Sequence, residues 1–263
     1  MSSARWSDLG PRMGSAAVLI VVALVCVWLG GLWWRLAISL ACGGMVWELV
    51  NMVDTNRRKS AKVLALVAGV CALASVYLPP AFALPLLLLP SMAGLGQMER
   101  GGVTYAVFTA MIMLSGYGIM SLRSDFGLTW MLWMVTVVVV TDVAGYFAGR
   151  AIGGPKLWPR VSPKKTWSGS AAGWIGAGIV GAIFAALSRE AGFGLVGVSI
   201  AISMASQIGD IAESAIKRRA GVKDSSSLLP GHGGLLDRFD GMLGAALFLL
   251  IAGQIVDFPP GVE

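Results

Sequence analysis

The stretch LTWMLWMVTVVVVTDVAGYF, residues 128–147, is almost wholly apolar and contains a single charged side chain, Asp142. A helix rises about 1.5 Å per residue, so about 20 apolar residues are enough to cross the hydrocarbon layer of a bilayer. The stretch therefore predicts a membrane-spanning helix that carries an acid near one of its ends.

Eight further stretches have a similar length and composition, and the whole chain is 56% hydrophobic and only 13% charged. A soluble domain has roughly 25% charged residues. We therefore predict an all-α, polytopic membrane protein with about nine spans. One integral membrane domain is expected over residues 1–263, with amino-terminal spans in 1–127 and catalytic spans and cytoplasmic loops in 128–263. The predicted spans are residues 16–32, 36–53, 63–78, 81–98, 103–120, 128–147, 170–187, 193–208 and 241–256.

The distribution of basic residues predicts which side of the membrane each loop faces. With the amino terminus in the cytoplasm, all of the 20 lysines and arginines except Arg35, Arg123 and Arg189 fall on the cytoplasmic side. Cytoplasmic loops are enriched in these residues. The carboxyl terminus is then outside, and the net charge of +6 reflects topology and does not imply nucleic-acid binding.

Asp142 belongs to the first of two polar segments on the predicted cytoplasmic side. Asp142, Tyr146 and Gly149 recur on one helix face, and Arg150 follows them. Two interpretations stay open at this point. The acid and Arg150 form a structural pair that closes the helix end, or they bind a substrate or a metal.

The same segment continues to the motif SPKKT at residues 162–166, just before the seventh predicted span. Backbone N–H groups at a helix amino terminus favour anions. Lys164 and Lys165, with the hydroxyls of Ser162 and Thr166, add further donors for phosphate. The motif indicates a site for a polyphosphate or a lipid phosphate, and the alternative is a basic anchor that only fixes topology.

The second polar segment reads SAIKRRAGVKDSSSLLPGHGGLLDRFD, residues 214–240, and holds five basic residues, three aspartates and the only histidine. Asp210, Glu213, Ser214 and Lys217 form a polar stripe where the preceding apolar helix ends. A carboxylate at that depth is costly unless it binds a cation, so Asp210 is a predicted metal ligand.

A metal site needs a second acid, and Asp237 and Asp240 are candidates because the glycine-rich run 230–234 lets the chain fold sharply before them. Oxygen ligands suit Mg²⁺, whereas one histidine and unclustered cysteines argue against zinc. His232 either orients the loop, donates a hydrogen bond to a phosphate or acts as an acid/base group. Glu48, in the second predicted span, is expected to be paired within the bundle rather than catalytic.

Taken together, these residues resemble the signature of the phosphatidate cytidylyltransferases, also called CDP-diacylglycerol synthases. The pattern reads here Ser214-x-Ile-Lys217-Arg218-x4-Lys223-Asp224-x5-Pro230-Gly-His232-Gly233-Gly234-x2-Asp237-Arg238-x-Asp240. The upstream patterns Asp142-x3-Tyr146-x2-Gly149-Arg150 and Ser162-Pro-Lys-Lys-Thr166 are also similar, so the resemblance covers residues 142–240. The chain departs from the family at Ser168, where Glu is common, and at Gly241, where Ser is frequent.

The resemblance implies an enzyme of a bacterial inner membrane, with its active site at the cytoplasmic face. It would join CTP and phosphatidate into CDP-diacylglycerol and pyrophosphate, with Mg²⁺ required. A second monovalent or divalent cation is left open. A homodimer is left open. The metal ligands would be Asp210 and Asp237, with Asp142, Asp224 and Asp240 as secondary candidates. The implied catalytic residues are Asp210, Asp237, Lys223, Asp224 and His232, and the implied substrate-binding residues are Arg150, Ser162, Lys164, Lys165, Thr166, Lys217, Arg218, Gly233, Gly234 and Arg238.

Three alternatives remain at the level of sequence. A transporter would use the acids to bind cations, but its binding site is expected near the middle of the membrane rather than at one face. A CDP-alcohol phosphatidyltransferase is disfavoured because its aspartate-rich pattern does not occur in this chain. An inactive homologue is kept because of Ser168.

Overall fold

A computed structural model describes residues 9–56, 58–188, 192–229 and 231–255 of the 263-residue chain. Within these ranges the chain forms helices joined by short connections, with one small β-hairpin. Pro230 of the signature pattern lies outside the described residues, as does the end of the last predicted span. The helices are α1 (Leu9–Leu29), α2 (Gly31–Val53), α3 (Arg58–Ser75), α4 (Pro80–Leu95), α5 (Gly102–Asp125), α6 (Leu128–Ala151), α7 (Trp167–Leu187), α8 (Gly194–Arg219) and α9 (Leu236–Ala252).

Five of these helices, among the described residues, are long and apolar enough to cross a membrane: α2, α5, α6, α7 and α8. The helix α4 and the part of α1 over Ile20–Leu29 are apolar but shorter. The chain is therefore a mostly helical, integral membrane protein, as the sequence predicted. The finer prediction of nine spans stays a prediction.

Glycines with positive φ occur in several of the connections between consecutive helices. Gly30 (φ 63°) precedes α2, and Gly127 (φ 91°) precedes α6. A side chain with a Cβ rarely adopts these angles, so glycine lets the chain reverse in a short connection. The helix α4 begins at Pro80. Proline is well tolerated in the first helical position, because the N–H group that it lacks would have no partner within the helix.

The chain divides into two compact units. The first unit comprises the described residues within 1–120 and 219–239, and the second comprises those within 121–218 and 240–263. In the first unit α2 packs on α3, and Trp34 Nε1 donates a 3.3 Å hydrogen bond to the carbonyl of Ile119 in α5. The small side chains Ala61, Ala68 and Ala72 of α3 are fully buried. Small residues let membrane helices approach closely.

In the second unit α6 packs along α7, and glycines mark the closest approaches. A Cβ added at Gly173 would lie 3.1 Å from the carbonyl oxygen of Thr141. Hydroxyl groups add buried polar contacts between α6 and α8: Trp133 Nε1 donates to Ser199 Oγ at 3.1 Å, and Thr141 Oγ1 donates to Ser203 Oγ at 2.8 Å. Such bonds satisfy polar groups where no water competes.

The hairpin between α6 and α7 consists of β1 (Lys156–Trp158) and β2 (Ser162–Thr166), which pair antiparallel. Lys156 is opposite Thr166 and Trp158 is opposite Ser162. The all-α prediction did not include these strands. The alternation of apolar and polar residues could not predict these strands, because most of their residues are exposed or only partly buried. The strands are held together by backbone hydrogen bonds instead.

Candidate active site

The second unit contains a pocket of about 510 Å³. Acidic side chains come from α6 and α8, whereas the basic ones come from the end of α6 and from the hairpin. The lining residues are Thr141, Asp142, Gly145, Tyr146, Gly149, Arg150, Lys156, Lys164, Lys165, Thr166, Gly169, Ser170, Gln207 and Asp210. The structure thus brings the first polar segment together with Asp210, which lies more than forty residues later in the chain.

Asp210 lies in α8 and contacts side chains from two elements. Lys165 of β2 forms an ion pair with Asp210 Oδ2, and Ser214 Oγ donates a 3.3 Å hydrogen bond to Asp210 Oδ1. Both charged groups are about one-quarter exposed, so solvent reaches them from the pocket. This geometry joins the predicted metal ligand directly to the predicted phosphate-binding motif.

Two further acids, Glu213 and Asp240, lie close to Asp210. Oxygens of Asp210, Glu213 and Asp240 lie within 4.8 Å of one another, and we call these three residues the carboxylate cluster. Glu213 is buried and forms an ion pair with Lys217 one turn later. Three carboxylates so close together repel one another, and a cation relieves that repulsion. All donors are oxygens, which fits Mg²⁺ and does not fit a metal that needs nitrogen or sulfur ligands.

The amino terminus of α7 is capped by the end of the hairpin. Thr166 Oγ1 accepts a 3.2 Å hydrogen bond from Gly169 N, which is the standard role of an N-cap threonine. Ser168 Oγ donates to the carbonyl of Gly153 and lies 3.0 Å from Thr166 Oγ1. Ser168 therefore joins the hairpin to the loop before it, and it is not a pocket-lining residue.

Arg150 ends α6 and donates a 2.9 Å hydrogen bond from Nη1 to Tyr146 Oη, one turn earlier. Arg150 and Lys164 are exposed, and both line the pocket with Lys156. Ser162, although predicted with them, is paired with Trp158 in the hairpin and does not line the pocket. The basic side chains are therefore positioned to meet an anion that enters the pocket.

The first unit contains the signature loop, which we define as residues 220–235. Asp237, in the first turn of α9, closes this loop through its Oδ2 atom. That oxygen accepts hydrogen bonds from Ser225 N (2.8 Å), Ser225 Oγ (3.0 Å) and Gly234 N (2.7 Å). Gly233 has φ 81°, so the turn requires a residue without a Cβ.

His232 contributes to the same turn through its backbone. Its N–H donates to the carbonyl of Leu229 at 2.9 Å, and its carbonyl accepts a 3.1 Å hydrogen bond from Arg238 Nε. These bonds support the loop-orienting interpretation of His232. Lys223 and Asp224 are exposed on the same loop, and their predicted roles in catalysis stay predictions, like that of Arg218 at the exposed end of α8.

Glu48 is the buried acid that the sequence analysis expected to be paired within the bundle, and the structure shows that it is paired, but not where it was predicted to be. Its partners are the signature loop and the start of α9, described below, rather than another span. Two further residues escaped the sequence analysis as site candidates. Glu213 was recognised only as part of a polar stripe, although its position three residues after Asp210 was a usable signal. Gln207 lines the pocket and accepts a 3.1 Å hydrogen bond from Trp174 Nε1, a contact that no local pattern could reveal.

Fold and site together define a helical membrane protein with an oxygen-donor cluster beside a pocket rich in basic side chains. Comparison with known proteins identifies the family. Residues 11–256 match the model of the cytidylyltransferase family, and the chain belongs to that family. It is therefore a nucleotidyltransferase enzyme, which answers the transporter alternative.

Individual relatives agree with the family match. A protein of Brucella suis biovar 1 named phosphatidate cytidylyltransferase is 38% identical over 267 residues, which cover 96% of each chain. A protein of the same name from Bacillus subtilis is 41% identical over 127 residues, covering 48% of this chain and 47% of the relative. Another, from Staphylococcus saprophyticus, is 44% identical over 133 residues, about half of each chain.

Proposed function

We propose that this enzyme transfers a cytidylyl group from CTP to phosphatidate, giving CDP-diacylglycerol and pyrophosphate in phospholipid biosynthesis. One observation supports the proposal most directly: the ion pair of Lys165 with Asp210, which joins the phosphate-binding motif to the carboxylate cluster. A reaction between two polyanionic substrates needs both cationic side chains and a cation site. The names of the relatives supply the particular substrates.

The reaction needs no nucleophile from the protein. An oxygen of the phosphatidate phosphate attacks the α-phosphorus of CTP, and a new P–O bond forms. The bond from that phosphorus to the oxygen bridging the β-phosphate breaks, and pyrophosphate leaves with the bonding electron pair. Transfer of this kind depends mainly on positioning and on neutralising charge.

Arg150, Lys164 and Lys165 are proposed to neutralise phosphate oxygens in the pocket, with Thr166 as a further hydrogen-bonding group. The same substrates are proposed to bind four further basic side chains: Lys217 and Arg218 at the end of α8, Lys223 and Arg238. The backbone at Gly233 and Gly234 is also proposed to contact these substrates. The carboxylate cluster would hold Mg²⁺, because its oxygens fit that ion. When bound, Mg²⁺ acts as a Lewis acid that withdraws charge from phosphate oxygens.

Asp237 is proposed as a further metal ligand, and Asp142 and Asp224 are proposed as secondary ligands. We also propose that the site can hold a second cation, which is either monovalent or divalent. The Oδ2 atom of Asp237 accepts three hydrogen bonds from the signature loop, which hold this carboxylate in place. His232 is proposed to act through the loop. Loss of rate with unchanged Mg²⁺ and CTP affinity in His232→Ala would instead indicate a chemical role.

We also propose nine spans, a cytoplasmic amino terminus and an active site at the cytoplasmic face of a bacterial inner membrane. CTP is soluble in the cytoplasm and phosphatidate lies in the leaflet, so the two meet at that interface. The asymmetric distribution of lysine and arginine supports this orientation. A homodimer is compatible with the proposal but is not required by it.

The test is the conversion of CTP and phosphatidate by detergent-purified protein, with and without Mg²⁺. Wild type is expected to form CDP-diacylglycerol only with the metal. Asp210→Asn removes one charge of the carboxylate cluster and is expected to lower kcat/KM by about two orders of magnitude or more. Asp237→Asn is expected to act in the same direction.

Asp125→Asn is the matched control, because Asp125 is an exposed aspartate at the end of α5 and does not line the pocket. It is expected to retain wild-type kinetics. Folded wild-type protein that binds phosphatidate yet forms no CDP-diacylglycerol would contradict the proposed function. Full activity of Asp210→Asn would contradict the assignment of the metal site.

A further inference from the structure

Glu48 is a carboxylate in the middle of the buried part of α2. Its side chain is 0% exposed, and its neighbours in the helix, Val46, Leu49 and Val50, are equally buried. A charge in such surroundings is costly unless hydrogen bonds satisfy it. The contacts of Glu48 therefore indicate what this acid does.

Four donors surround the Glu48 carboxylate, two on each oxygen. Oε1 accepts from Ser226 Oγ at 2.6 Å and from Leu235 N at 2.8 Å. Oε2 accepts from Ser225 Oγ at 3.1 Å and from Leu236 N at 2.7 Å. All four donors come from the signature loop or the first residue of α9, 177 to 188 positions later in the chain. None of them belongs to a local capping motif.

The amide donors lie at the amino terminus of α9, where unpaired N–H groups favour a negative charge. Glu48 thus caps a helix that is distant in sequence. Gly234 lies against the same carboxylate, because a Cβ added there would come within 2.6 Å of Glu48 Oε1. The fit leaves no space for a side chain at this position of the signature.

Ser225 connects Glu48 to Asp237. Its Oγ lies 3.1 Å from Glu48 Oε2 and 3.0 Å from Asp237 Oδ2. A hydroxyl has one proton and donates to one acceptor at a time, so the two carboxylates share this donor. The backbone N–H of Ser225 also donates to Asp237, which keeps the serine in place. Movement of Glu48 would therefore shift the loop that holds Asp237.

We propose that Glu48 is a positioning residue for the active site, which anchors the signature loop and the start of α9 from within the membrane bundle. It does so by holding Ser225, Ser226 and the amides of Leu235 and Leu236. The part of this inference that concerns activity rests on the proposed function. The anchoring itself concerns the loop and is measured separately.

The experiment compares Glu48→Gln with wild type in detergent. The glutamine keeps the shape of the side chain, but its NH₂ group cannot accept, so donors on one oxygen lose their partner. Amide hydrogen exchange across residues 223–236 is expected to accelerate by about tenfold or more. The value of kcat/KM for CTP is expected to fall by about tenfold or more, since the loop carries proposed site residues.

Asp54→Asn is the matched control. Asp54 is also buried, follows the same helix and accepts backbone N–H bonds, here from Asn56 at 3.2 Å and Glu99 at 3.0 Å. It lies outside the signature loop. Both Glu48→Gln and Asp54→Asn are expected to lower Tm, but Asp54→Asn is expected to keep loop exchange and kcat/KM within about twofold of wild type.

Ser226→Ala provides a milder test if Glu48→Gln does not yield folded protein, because it removes one of the four donors. It is expected to accelerate loop exchange in the same direction, and its effect combined with that of Glu48→Gln is expected to be smaller than the sum of the two single effects. Unchanged loop exchange in either variant would overturn the anchoring. A loss of activity without faster exchange would also overturn it. Wild type that forms no CDP-diacylglycerol would refute the proposed function alone, because the exchange measurement does not depend on turnover.

Discussion

Lys165 of the hairpin forms an ion pair with Asp210 of α8, and this contact lies within the pocket of the second unit. Each residue limits the other: the lysine neutralises the carboxylate, and the carboxylate orients the lysine. An entering phosphate or cation competes with that ion pair. We therefore expect the strength of this ion pair to influence both the affinity for substrate and the rate of the reaction.

Lys165→Ala is expected to lower kcat/KM for CTP by about ten- to a hundredfold, which corresponds to the loss of one charge-assisted hydrogen bond of about 1.5–3 kcal/mol. Steady-state kinetics measures this effect. The control is Lys62→Ala, which removes an equal charge from an exposed position of α3. An equal effect of both variants would mean that overall charge, rather than the pocket, is responsible.

Glu213→Gln is expected to raise the Mg²⁺ concentration for half-maximal activity by about tenfold, because it removes one charge from the carboxylate cluster. A titration of activity with Mg²⁺ measures the shift. Glu99→Gln changes the same side chain at an exposed position and should leave the titration unaltered. If Glu213→Gln titrates like wild type, Glu213 only pairs with Lys217 and takes no part in binding the metal.

Gly209→Ala is expected to destabilise the protein by about 1–3 kcal/mol and to lower activity, because overpacking shifts the neighbouring Asp210. A Cβ at Gly209 would lie 3.0 Å from Gly244 N and 3.1 Å from Gly244 Cα, both backbone atoms of α9. Thermal unfolding and product formation measure the two effects.

Gly197→Ala is the control for this prediction. It makes the same change in α8 where a Cβ would meet nothing within 4 Å, so it is expected to be neutral or slightly stabilising. If Gly209→Ala is as stable as Gly197→Ala, then α9 can move away from the added Cβ without loss of stability.

Ser168→Glu introduces the residue that is common in the family, and we expect it to lower stability by about 1 kcal/mol. The carboxylate cannot donate to the Gly153 carbonyl, which accepts from Ser168 Oγ in this chain. Ser168→Thr keeps the hydroxyl and should be close to wild type in thermal unfolding. Higher activity in Ser168→Glu than in wild type would instead indicate that the serine weakens metal or nucleotide binding.

Several parts of the site were predictable from local pattern. Asp210 stands out because an acid at the end of an apolar helix needs a partner, and the SPKKT motif stands out because lysines and hydroxyls precede a helix. Their contact was not predictable. Neither was the pairing of Lys156 with Thr166, since the hairpin residues alternate too weakly between buried and exposed positions to indicate strands.

The amino-acid sequence by itself determined the class of protein, the approximate helices and the residues able to bind phosphate and metal, because hydropathy and charge are properties of short segments. Only the tertiary structure decided which acids meet. Glu213 and Asp240 come together because α8 and α9 cross where Gly209 and Gly244 lack side chains, and Glu48 reaches Ser226 from 178 residues away. Distances of that kind depend on how helices pack, and helix packing is set by contacts that no single segment contains.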